Sequence, residues 1–229
     1  MLPAVEQSLN VQPWRFQAHP EVWLLVLSLA AAWIYAVKVI GPRIMPASEV
    51  VTRRHTRLFA LTMVLLWFAS DWPMHDIAEE YLYSVHMVQH MILSYFVPPL
   101  ALLATPEWLF RLIVGEGGVY RWVRRLTRPV PAALFYNTVV VLTHIPALVN
   151  LSAGTGPVHY ILHVLVVTSA LLMWMPVCGP APELRMGHGA KMVYLFSLSF
   201  ITIIPGAWLS FSEDAVYDHY DTPVRVWGL

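Results

Sequence analysis

Two histidine pairs stand at a spacing that could hold a metal. His86 and His90 are four apart in the run His86-Met-Val-Gln-His90-Met, and His159 and His163 are four apart in a second apolar run. Residues at i and i+4 share one face of a helix, so each pair points one way. Neutral imidazole is the commonest metal ligand, and thioether sulfur favours soft Cu(I). Met87 and Met91 repeat the four-residue spacing beside the first pair. A helix turns about 100° per residue, which sets them next to the His face, as packing residues or as an adjacent ligand set.

Other chemistry finds little support. The chain has no Walker loop, no G-x-S-x-G elbow and no H-E-x-x-H motif. The 86/90 pair has the spacing of a zinc-protease helix without the Glu that would serve as general base. A single Cys cannot form an intrachain disulfide or a Cys-rich metal site. The expectation is a protein that binds and is not an enzyme.

The elements that must position these residues follow from composition. Of 229 residues, 58% are hydrophobic and 12% are charged, about half the charge of an ordinary soluble domain. So few charges cannot cover a soluble fold, and the apolar content excludes disorder. Fourteen basic and fourteen acidic residues give no net charge, which argues against a nucleic-acid partner. The chain reads as one all-α integral membrane domain of about six transmembrane helices. The spans are expected at about residues 22–40, 56–72, 81–104, 131–149, 158–178 and 191–211. Pro98-Pro99 predicts a kink or early end in the third, and 106–114 reads as an interfacial helix.

Charge sets the expected orientation. Lys38, Arg43, Arg53, Arg54 and Arg57 flank the first loop, Arg111, Arg121, Arg124, Arg125 and Arg128 the third, and Arg185 and Lys191 the fifth. Only Arg15 and Arg225 fall on the other side. Basic loops stay cytoplasmic, so both termini are expected outside, with membrane lipid around the bundle. The acidic residues, among them Glu79, Glu80 and Asp221, crowd the outer loops.

That topology brings His86, His90, His144, His159 and His163 to one depth in the outer half of three helices. Asp71 completes the level and His75 lies just above it. A lone membrane histidine serves as an interhelix hydrogen-bond partner; five at one depth equally admit a metal or haem site. His19, His55, His188 and His219 lie in loops or tails and receive no role here.

These residues also carry a resemblance. His86-Met-Val-Gln-His90-Met-Ile-Leu, Pro98-Pro99-Leu100, Thr105-Pro106, Thr143-His144-Ile145-Pro146, His159, His163 and Trp174-Met175-Pro176 together resemble the CtaG-like family of caa-type cytochrome c oxidase assembly factors, from about Arg57 to Tyr220. The resemblance implies a multi-pass bacterial plasma-membrane protein that matures a haem–copper oxidase. Its implied task in building the respiratory chain is that of a copper chaperone. Copper would pass from an extracytoplasmic donor to the oxidase subunit carrying the haem–copper centre. The five histidines match the family's histidine positions. The family pattern continues into a D-Q-x-x-G-G type motif and a further span, whereas the sequence given ends at Leu229.

On this reading His86, His90 and His163 form the core of a Cu(I) site, assisted by His159 and His144. Asp71, Met87, Met91 and His75 are possible additions. The alternatives are a haem-binding electron carrier, a proton- or quinone-handling enzyme with Asp71, Glu79 and Glu80 on an outer proton path, and a metal-free assembly scaffold.

Overall fold

A computed structural model describes residues 12–214 and 216–220. Asp221 and Arg225 of the charge pattern lie outside the described residues, as does the 225–229 end. Helices α1 (Pro20–Ile44) and α2 (Arg53–Ser70) are followed by a short α3 (Met74–Glu80). Next come α4 (Tyr83–Ala104), α5 (Glu107–Val114) and α6 (Gly118–Leu126). The chain continues through α7 (Pro129–Thr143), α8 (Pro146–Gly154), α9 (Gly156–Cys178) and α10 (His188–Ser210). No strand occurs among the described residues.

Local sequence accounts for the boundaries. Proline stands in the first turn of α1, α7, α8 and α9, where its missing N–H costs nothing and its fixed φ suits the helix. At α2 the Thr52 hydroxyl accepts from the His55 amide while the His55 ring accepts from the Thr52 amide, a reciprocal cap. This gives His55 a structural task. Gly115 turns the chain between α5 and α6 at φ 65°, a conformation that suits glycine.

Among the described residues, four helices are long and apolar enough to cross a membrane: α1, α4, α9 and α10. The expected fourth span is a broken one. Helices α7 and α8 meet at 71°, because Pro146 cannot extend α7. Counted as one crossing, the pair would make a fifth. The expected second span forms as α2, 18 residues long, but arginines at 53, 54 and 57 leave it short of a fully apolar stretch. Pro98-Pro99 does not end α4. A π-helical stretch, Ile92–Phe96, precedes it and the helix runs on to Ala104.

Packing sets α9 at the centre. Met173 and Ala170 meet Tyr136 of α7 and Tyr194 and Leu198 of α10. Met175 meets Leu102 of α4 and Phe110 of α5. Leu93 and Val97 of α4 pack on Ala69 of α2. Met173 and Met175 are thus core residues, away from the histidines. Helices α1 and α10 leave most of their apolar surface exposed, Leu24 and Ile203 for example, as lipid-facing helices do.

Candidate metal centre

The starts of α1, α4 and α9 share one end of the bundle. Gln17 donates to Glu80 at 2.6 Å, and the Tyr160 hydroxyl donates to Glu21 at 2.8 Å. At this end α4 and α9 turn their histidine faces toward each other. Ring centroids lie 4.4 Å apart for His86 and His90, 4.3 Å for His159 and His163, and 5.0 Å for His90 and His163. One nitrogen each of His86, His90 and His163 falls within a 4.8 Å group. Nε2 of His90 and Nε2 of His163 are buried with no hydrogen-bond partner. Two orphaned imidazole nitrogens facing a third imidazole fit a metal ion, because a buried polar atom without a partner is otherwise costly.

Helix α3 supplies the part that sequence reasoning did not assign to the centre. Glu79 Oε1 lies 2.9 Å from Nδ1 of His86, and Oε2 lies 3.3 Å from Nδ1 of His159. An ionised carboxylate only accepts, so the neutral His86 ring carries its proton on Nδ1 and presents Nε2 to a ligand. Burial pushes the Glu79 carboxyl up, but the His86 hydrogen bond and the surrounding imidazoles outweigh it and hold it at about 2. His219 donates to the Glu79 carbonyl at 2.8 Å, and Tyr220 to that of Ala78 at 2.9 Å. The tail thereby covers α3.

His75, Glu79 and His159 form a second close group. Its hydrogen bonding argues against His75 as a ligand. The Gln89 amide nitrogen donates to the Ala69 carbonyl at 2.6 Å, and from there also to His75 Nδ1 at 3.0 Å. With Nδ1 accepting, the neutral His75 ring bears its proton on Nε2 and has no lone pair left. Burial pushes His75 down to about 4, so it stays neutral at pH 7.

The remaining candidates have other partners. His144 lies outside both groups and places Nδ1 2.7 Å from the Val140 carbonyl. Asp71 is buried and accepts from the indoles of Trp23 at 2.7 Å and Trp67 at 2.6 Å, tying α1 to α2. Met91 is exposed and Met87 half-buried on α4. His19, given no role from sequence, lies 5.0 Å ring to ring from His75 and pairs with Asp76 at 2.7 Å. The only advance signal for Glu79 and His19 is the acidic crowding of these loops.

The family model described as cytochrome c oxidase caa3 assembly factor (Caa3_CtaG) matches residues 31–229. No curated protein and no solved structure matches the chain. The matched region spans α4 and α9 with all five histidines, and most of the sequence besides. The chain belongs to the cytochrome c oxidase caa3 assembly factor family.

Proposed function

We propose that this assembly factor takes up copper as Cu(I) at His86, His90 and His163 and passes it to the copper centre of the oxidase. The observation that carries the reading is the pair of buried, unpartnered Nε2 atoms of His90 and His163 beside His86. Neutral imidazoles bind Cu(I), and a three-nitrogen set leaves a position through which the ion can move on. Copper here is cargo.

By the loop pattern the same end carries ten of the fourteen acidic residues, while twelve of the fourteen basic residues collect at the other. We therefore orient the protein with the histidines toward the extracytoplasmic side of the plasma membrane and both termini outside. In this orientation α2 and the bent α7–α8 pair complete six passes. A donor on the extracytoplasmic side then reaches the site without crossing the bilayer. The cavity beside His86, His90 and His163 measures about 30 Å³, room for an ion and not for a haem. This favours copper over the haem reading.

The test is metal content after anaerobic, reductive copper loading and desalting of the detergent-purified chain. About one copper per chain, lost in His90→Ala and His163→Ala, is expected. Iron with a Soret band, or no copper in a folded wild-type protein, overturns the assignment.

A further inference from the structure

Helices α5 and α6 lie at the end of α4 opposite the histidines, between the close of α4 at Ala104 and the start of α7 at Pro129. Two contacts set how α6 is rolled against the bundle. Val123 packs into the cluster of Leu102, Phe110 and Met175, and the Tyr120 hydroxyl donates to Glu183 at 3.0 Å. At about 100° per residue, Val119, Trp122 and Leu126 then form a ridge along one flank of the helix, clear of those contacts. All three are exposed. Arg121, Arg124 and Arg125 occupy the far arc of the same helix and are exposed too.

The charge on this helix is left open. Residues 115–128 hold four arginines, Arg128 being the last, against one carboxylate, Glu116. The nearby Glu107 and Glu183 are engaged by Arg111, at 2.7 and 3.1 Å. Among the described residues, no carboxylate lies within ion-pair distance of Arg121, Arg124, Arg125 or Arg128. The Arg125 guanidinium lies 5.5 Å from the centre of the Trp122 ring, which holds one cation at the edge of the ridge.

We infer that α6 lies in the membrane surface and binds anionic phospholipid, its ridge in the acyl boundary and its arginines on the phosphates. Apolar residues with a Trp on one flank and arginines on the other are what a helix in that plane requires. An acidic protein segment would pair the arginines and leave Val119, Trp122 and Leu126 to water. A bilayer covers the ridge and brings the anions together. The neighbouring helices already face lipid here, with Ile113 of α5 and Val130 and Leu134 of α7 exposed. A zwitterionic headgroup carries its own cation, which the unpaired guanidiniums repel, whereas a phosphatidylglycerol headgroup carries net negative charge. This inference stands whether or not the histidines carry copper.

The experiment reconstitutes the full chain in vesicles of equal parts phosphatidylglycerol and phosphatidylcholine, with bromine on the acyl chains of one lipid or the other. The Trp122 share of the fluorescence is the difference between wild type and Trp122→Phe. Brominated phosphatidylglycerol is expected to quench that share with at least about fivefold higher relative affinity, the effect of one arginine at an anionic surface. High salt should shrink the preference. Changing Arg121→Gln, Arg124→Gln and Arg125→Gln together should abolish it. Quenching by brominated phosphatidylcholine should persist in that variant, which shows the helix still at the membrane surface. Equal quenching by the two lipids in wild type, no quenching of Trp122 by either, or an undiminished preference in a variant that is still quenched would each overturn the inference.

Discussion

Glu79 Oε1 lies 2.9 Å from Nδ1 of His86, a contact made from a short helix to the outermost histidine of α4. Its other oxygen lies beside His159 of α9, so one carboxylate orients imidazoles from two helices. Glu79→Gln keeps one acceptor oxygen and serves one ring at most. Copper affinity should fall about 10- to 100-fold, the usual effect of removing a ligand's hydrogen-bond partner, with stoichiometry retained at saturating copper. Competition against a Cu(I) chelator measures this. An affinity equal to wild type would show that Glu79 does not orient the site.

Histidines should separate by whether their ring nitrogens are engaged. His90→Asn and His163→Asn should remove the tightly held copper. His144→Gln should leave it in place, because the His144 ring is held by the Val140 carbonyl. Copper analysis of the three purified variants decides this, and equal losses in all three would contradict the three-histidine core.

Copper retention should fall with pH. Proton and metal compete for the same imidazole lone pair, so retained copper should decline progressively in acid. Dialysis at fixed chelator from neutral pH down to the point where the fold is lost measures the trend, and retention that stays flat for as long as the fold persists would argue against imidazole ligation.

His19 and Asp76 should make stability depend on pH. Burial lowers the His19 pKa, but the hydrogen bonds and charges of Asp76 and Glu21 outweigh it and raise the group above 6.5. Burial also raises Asp76, which His19 offsets only in part. Both groups hold protons more tightly folded than unfolded. The His19 contribution is complete below pH 6.5 and is lost as pH rises through the folded value. Melting curves of wild type and His19→Gln should thus differ more at pH 5.5 than at pH 8.5. A gap that widens toward alkaline pH would reverse the sign.

Asp71 should matter for the fold and not for metal. Asp71→Ala leaves the indole N–H groups of Trp23 and Trp67 without their acceptor. It should cost about 1–3 kcal/mol, seen as a lower melting temperature in detergent, while copper stoichiometry stays the same.

The histidine faces were legible in the sequence because they depend on short-range geometry. A four-residue spacing fixes a shared face, and the loop charges place both pairs at one end of the bundle. Glu79, His19 and His219 were not legible in the same way. Their positions depend on how α3, the segment before α1 and the tail fold back over that end, and no periodicity encodes such returns. The 71° break between α7 and α8 is foreshadowed by Pro146, yet an apolar run on both sides reads as one continuous span.

The π-helical stretch Ile92–Phe96 sits directly below His90. A π turn inserts one residue into the α repeat, which advances everything above it by about 100° relative to everything below. Helix α4 therefore has two independent angular settings. Its lower half packs through Leu102 against Met175, and its upper half faces the α9 histidines. Deleting one residue within 92–96 would restore a single phase and swing His86 and His90 away from His163, with the lower packing still in register. The turn works as a dial, matching a catalogue of apolar contacts to a polar face that those contacts alone would have pointed elsewhere.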